Sequence, residues 1–209
     1  MTDPSRPDSA DRVRRRRRRT VLGIGAIFFV PLAVALYLFY GLPGLRPVGT
    51  VNHGELVDPP HPVPALSLPL FPVGRTRPDF LERRWTLLYV GTGVCGERCR
   101  AALYETRQIR IALGQDTNRV QRVFLATGPC CDAHFLRSEH PDLITVRVTA
   151  AAAPLLAALP RYGATSPLRA GRVYLIDPLG NLMMSYPPNA APKGMLEDLQ
   201  RLLQLSTIG

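Results

Sequence analysis

The sequence predicts an α/β domain, a mixed sheet with flanking helices, standing behind a single membrane-spanning helix. Three observations predict it. An uncharged apolar run follows directly on a cluster of arginines. From about residue 80 onward, short strand-like runs alternate with helix-like ones. Late in the chain, two strand-like runs flank a turn sequence, Pro178-Leu179-Gly180-Asn181.

The anchor comes first. Residues 1–20 carry eight arginines (Arg6, Arg12 and Arg14 to Arg19) against Asp3, Asp8 and Asp11, which is half of the chain's net charge of +10. A basic run suits nucleic acid or anionic lipid equally well. Its place beside residues 21–40, a stretch without charge, decides for lipid and against nucleic acid. Twenty residues rise about 30 Å as a helix, the thickness of a bilayer's hydrocarbon core. Pro31 is tolerated in such a helix, and Tyr37 and Tyr40 suit its far interface. The arginines place the N-terminus in the cytoplasm of a bacterial-type inner membrane and the remainder in the periplasm. The apolar run exceeds the 7–15 residues of a signal peptide and lacks an Ala-x-Ala cleavage pattern, so the helix is expected to remain as a single-pass anchor.

Four segments follow from this: a cytoplasmic tail (1–20), the anchor (21–40), a proline-rich spacer (41–79) and a folded domain (80–209). The spacer holds Pro59, Pro60, Pro62, Pro64, Pro69 and Pro72 and reads as a stiff, partly extended linker. In the domain, residues 85–90 read as a buried strand and 97–113 as a helix. A second strand at 120–126, a short helix at 132–138, a third strand at 143–148 and a helix at 150–159 come next. The hairpin of 172–177 and 182–186 and an amphipathic helix at 193–205 close the chain. A β-α-β start requires a parallel crossover and the hairpin adds antiparallel strands. The result is a mixed sheet of the thioredoxin kind.

Chemistry is expected at Gly93-Val94-Cys95-Gly96-Glu97-Arg98-Cys99, where the first core strand hands over to its helix, the carboxyl-end position at which open α/β sheets place their sites. A spacing of four sets both sulfurs on one helical face about 6 Å apart along the axis, within bridging range. Unpaired amides at a helix start favour thiolate over thiol, and two thiolates also offer a soft-metal bite for copper or zinc. The plainer reading makes Cys95 and Cys99 small buried hydrophobes. Cys130 and Cys131 follow the second parallel strand and fall on the same sheet edge. Their α-carbons lie ~3.8 Å apart across a trans peptide, too close for an unstrained bridge. One of them can resolve a disulfide of Cys95 or Cys99 or lend a ligand, as can His134; the alternative is a structural cysteine pair. His53 and His61 read as exposed or packing residues, and His140 is given no role.

These residues resemble the Sco/SenC family, membrane-anchored thioredoxin-fold proteins of cytochrome c oxidase assembly. The resemblance runs from Trp85 to the C-terminus. It is carried by the anchor, by Cys95-x-x-x-Cys99, and by Val173-Tyr174-Leu175-Ile176-Asp177-Pro178-Leu179-Gly180. Asn52-His53-Gly54-Glu55-Leu56 is also similar to a segment of small anchored proteins associated with oxidase assembly. The resemblance implies thiol–disulfide exchange or transient copper binding at Cys95 and Cys99, so that the protein is a thiol–disulfide oxidoreductase or a copper chaperone. The implied partner is a respiratory oxidase subunit or another extracytoplasmic assembly factor. In the exchange version Cys95, the more exposed sulfur, attacks and Cys99 resolves. The family's copper-ligating histidine has no counterpart: Arg169 falls at about its place in Pro167-Leu168-Arg169-Ala170-Gly171-Arg172. Two rival readings stand beside this one. One is a thioredoxin-like binding scaffold with structural cysteines. The other is a general periplasmic oxidoreductase of cytochrome c maturation, disfavoured by the missing proline before the strand at 173 and by the wide cysteine spacing.

Overall fold

The computed structural model describes residues 9–41 and 51–208, with side chains from residue 13 onward. It divides into two compact units, residues 1–50 and 51–209. In the first unit α1 runs over Ser9–Gly41, with Pro31 inside it. Its portion Val13–Gly41 is long and apolar enough to cross a membrane. Phe28, Phe29, Ile27 and their neighbours are exposed all around it, as lipid-facing side chains are. The tail up to residue 8 and the stretch 42–50 of the expected spacer lie outside the described residues.

The second unit is one mixed sheet with helices on both faces. Its elements are β1 (Glu55–Pro62), β2 (Trp85–Thr92), α2 (Glu97–Ala112), β3 (Val120–Thr127), α3 (Ala133–Glu139), β4 (Leu143–Arg147), α4 (Ala153–Ala158), α5 (Pro167–Ala170), β5 (Val173–Ile176), β6 (Asn181–Tyr186) and α6 (Pro192–Leu205). The strand order is β1-β6-β5-β2-β3-β4. β2, β3 and β4 run parallel, while β5, β6 and β1 are antiparallel to their neighbours. β2 is buried along nearly its whole length, which is why Trp85-Thr86-Leu87-Leu88-Tyr89-Val90 lacks the alternation of a half-exposed strand. On one face Leu87, Tyr89 and Phe124 pack against Leu103 and Ile109 of α2 and Leu199 and Leu203 of α6. On the other, Leu88, Val90, Val123 and Tyr174 pack against Leu155 of α4. The β5–β6 turn is tied by the Asp177 carboxylate, which accepts from Leu179 N–H at 2.9 Å and Asn181 N–H at 2.7 Å, with Gly180 at φ 84°.

The expected spacer differs from its sequence reading. Residues 55–62 are the edge strand β1, and Leu68, fully buried, fills the face opposite α2. Beyond it, Phe71 N–H donates to Thr145 O at 2.9 Å and Arg147 N–H to Pro69 O at 2.8 Å, so residues 69–71 cover the outer edge of β4. Prolines fit here because an edge strand needs hydrogen bonds on one side only. Pro59 and Pro60 fall between the paired residues Leu56 and His61, where the register shifts.

Candidate redox site

The site is made where β2 ends. Gly93 N–H donates to Thr127 O of β3 at 2.8 Å, and Cys95 N–H closes a turn onto Thr92 O at 2.9 Å. Gly93 is required by close approach: a β-carbon there would meet the Pro129 carbonyl and lie 2.7 Å from Cys130 Cα and 2.9 Å from Cys130 Cβ. The β2–α2 and β3–α3 loops therefore touch. Cys95 follows with φ 50°, a left-handed conformation uncommon outside glycine. Gly96 caps α2, and Cys99 sits in its first turn.

Cys95 and Cys99 form a disulfide with α-carbons 5.0 Å apart. The pair bridges as its spacing predicts, although Cys95 lies before the helix cap and not on a helical face. Both residues are buried, at 3% and 5% exposure, so Cys95 is not the more exposed sulfur expected from the sequence. Cys99, and not Cys95, lines a cleft of about 870 Å³ between the amino end of α2 and α5. Arg98, Glu105, Arg169 and Pro188 line the same cleft. Burial raises the Glu105 carboxyl above its usual range. Arg169 thus reaches the site that its position in the sequence suggests, as a cation.

Arg100 ties the cysteine loops together. Its Nε donates to Cys95 O at 3.2 Å and its Nη2 to Asp132 Oδ2 at 3.3 Å, while the guanidinium lies 4.1 Å above the Phe135 ring. Asp132 caps α3 by accepting from Phe135 N–H at 3.0 Å, and that bond, with Arg100 beside it, holds its carboxyl below the usual range. Cys130 and Cys131, whose pairing the sequence leaves open, are bonded to one another, with α-carbons 3.2 Å apart. The peptide between them is cis, not the trans form expected from the sequence. Both are half-buried and pack on the cluster that holds Cys95 and Cys99. They line a shallow depression with Gly93, Val94 and Arg100. His134 is exposed on α3. Among the described residues no three His, Cys, Asp or Glu side chains are grouped so as to hold a metal ion.

Two further polar clusters lie outside the cysteine loops. The Asp198 carboxylate of α6, with only 2% of its side chain exposed, accepts from His53 N–H and Gly54 N–H at 2.9 Å each and from Tyr186 Oη–H at 3.1 Å. His53 Nδ1 lies 3.2 Å from the same carboxylate and its Nε2 lies 3.4 Å from Glu197. His53, read as exposed or packing, is in fact half-exposed and clasped. On β3, Arg122 is 1% exposed and donates to Asp142 at 3.1 Å, to Leu103 O at 2.6 Å and to Thr106 Oγ1 at 3.2 Å. Its Nη2 also lies 3.3 Å from His140 Nδ1. His61 Nε2 reaches Ala158 O at 2.8 Å, a packing contact as expected.

The strand order, the crossover helix and a dithiol at that helix's amino end define a thioredoxin-fold protein. The sequence model of the transmembrane-like, thioredoxin-like C-terminal domain family matches residues 85–206, and the chain belongs to that family. Among solved structures, the chain is similar to apo Sco1 of Thermus thermophilus, at 20% identity over 75% of this chain and 99% of that one, with a TM-score of 0.58. It is similar to copper-bound ScoI of Bradyrhizobium japonicum at 20% identity, over 68% and 98% of the two chains, with a TM-score of 0.52. A thiol:disulfide interchange protein of Chlorobium tepidum shares 13% identity over 70% and 95%, with a TM-score of 0.51. At such identities the likeness is one of fold. No curated protein matches the chain.

Proposed function

We propose that the chain is a membrane-anchored, Sco-like assembly factor for cytochrome c oxidase that acts by thiol–disulfide exchange at Cys95 and Cys99. The observation that carries this reading is the Cys95–Cys99 disulfide at the amino end of α2, beside a cleft that opens on Cys99. Helix α1 anchors it in the inner membrane with the arginines in the cytoplasm and the folded domain in the periplasm. Cys99 is the sulfur that meets the partner. When the pair is reduced, the Cys99 sulfur lies in the first turn of α2, beside the unpaired amides of that helix start. It attacks a sulfur of the partner's disulfide, and the other partner sulfur leaves as thiolate. Cys95 then attacks Cys99, closing the Cys95–Cys99 bond and releasing the second partner thiol.

Copper suits this site only as cargo. The copper-bound ScoI of similar fold motivates the question. A resident Cu(II) centre does not fit the donor set here: two sulfurs are present, and among the described residues no third His, Cys, Asp or Glu side chain is grouped with them. Two free thiolates satisfy Cu(I), which accepts few soft ligands. Cells carrying Cys95→Ser or Cys99→Ser in the full chain should lose assembled, copper-loaded oxidase. Wild-type oxidase in both would end this reading.

One observation favours a second reading, a binding scaffold with structural cysteines: both sulfurs are buried. A reduction potential below about −300 mV, where a disulfide resists exchange, would favour the scaffold.

A further inference from the structure

Both cysteines of the Cys95–Cys99 pair are buried, and of the two only Cys99 lines the cleft. On the other side of the Cys95 loop, three observations converge. The half-buried Cys130–Cys131 pair packs on the same cluster as Cys95 and borders its own surface depression. Gly93, two residues before Cys95, leaves no space between the loops, and the atoms a β-carbon there would meet are the Pro129 carbonyl oxygen and Cys130 Cα and Cβ. Arg100 binds Cys95 O and the Asp132 carboxylate at once, holding the loops in register.

We propose that Cys130–Cys131 is a second redox couple, which relays electron pairs from an external dithiol to the buried Cys95–Cys99 bond. The proposal rests on the reading of Cys95 and Cys99 as an exchange site. An external dithiol, small or proteinaceous, reduces Cys130–Cys131 at the exposed depression and leaves as its own disulfide. The Cys130 thiolate, nearest Gly93, then attacks Cys95 Sγ; a Cys130–Cys95 bond forms and Cys99 departs as thiolate into the cleft. The Cys131 thiolate attacks Cys130 Sγ, re-forming Cys130–Cys131 and releasing Cys95 as thiolate. Two electrons have moved from one pair to the other, and the two protons follow through solvent. Cys99 then serves the partner from the opposite side of the loop, so reductant and partner need not compete for one surface.

The test uses the full chain in detergent. A Cys99→Ser/Cys131→Ser variant, with Cys95 and Cys130 as its only cysteines, should close an intramolecular disulfide under mild oxidation, detected by peptide mapping. In Cys130→Ser/Cys131→Ser, dithiothreitol should reduce Cys95–Cys99 at least tenfold more slowly than in the wild type, with near-ultraviolet circular dichroism confirming the fold. Free thiols in the first variant, in an otherwise folded protein, would overturn the relay. So would an undiminished reduction rate in the second. Neither readout involves the oxidase, so a failure here is distinct from wild-type oxidase assembly in Cys95→Ser and Cys99→Ser cells.

Discussion

The clasp at Asp198 makes a quantitative claim about how the segment leading from the anchor joins the domain. Replacing Asp198 with alanine removes the acceptor for two backbone N–H groups, of His53 and Gly54, and for the Tyr186 hydroxyl. Hydrogen bonds to a charged group contribute about 1.5–3 kcal/mol each. Three at the low end sum to about 4–5 kcal/mol. The variant also regains the cost of burying a carboxylate, and Tyr186 keeps a second acceptor in Met184 Sδ at 3.0 Å. A loss of about 3 kcal/mol is expected. Asp198→Asn keeps one acceptor oxygen but turns an amide toward the donors, and should lose about 2 kcal/mol. Trp85, the chain's one tryptophan and buried on β2, reports urea unfolding by its fluorescence. Limited proteolysis reads the segment itself: residues 51–62 should become cleavable in Asp198→Ala before the rest of the domain. A variant within about 0.5 kcal/mol of wild type, the usual range for surface substitutions, with that segment still protected, would refute the reasoning.

Two further outcomes concern the Arg122 network. Arg122→Met should destabilise by about 1–3 kcal/mol, because it removes the buried donors to Asp142 and Leu103 O, while Asp142 keeps Arg110 at 3.3 Å and Leu103 O keeps the Thr106 hydroxyl at 3.1 Å; unfolding within about 0.5 kcal/mol of wild type, the usual range for surface substitutions, would show that the buried charge is replaceable. His140 is held at a pKa of about 4, below its ordinary 6.5, by burial first and by the Arg122 charge second. A histidine whose folded pKa is depressed contributes stability that is fully present above about 6.5 and lost as pH falls toward 4, since the unfolded chain takes up the proton first. Wild type should therefore lose more stability than His140→Gln between pH 7 and pH 4.5, and equal losses would contradict the assignment.

The central sheet was legible because its strands are buried on both faces and punctuated by glycine and proline, as at Trp85-Thr86-Leu87-Leu88-Tyr89-Val90 ahead of Gly91. The disulfide was legible because Cys95 and Cys99 stand four residues apart at a strand-to-helix junction, although the left-handed turn at Cys95, and not a shared helical face, brings them within bridging distance. The expected spacer, residues 41–79, departs from its composition over 55–71 for a physical reason. Prolines exclude a central strand but not an edge, and Pro59, Pro60 and Pro62 all lie in or beside the edge strand β1. Local composition carries no sign that Leu68 inserts beneath the sheet or that Asp198, 145 residues on, receives His53. That Cys99 and not Cys95 lines the cleft is likewise set by the local turn at Cys95, which no residue pattern announces. Arg122, a charge in the middle of a buried strand, has the opposite character: such a residue signals a network before its partners are known.

The most direct measurement is covalent trapping of the partner at Cys99. Cys95→Ser in the full chain, in membranes, leaves Cys99 facing the cleft with nothing to resolve it. Non-reducing electrophoresis should show a dithiothreitol-sensitive adduct between this variant and a copper-site subunit of the oxidase, absent from Cys99→Ser. Absence of any adduct in Cys95→Ser, or an equal one in Cys99→Ser, would contradict exchange through the sulfur at the first turn of α2.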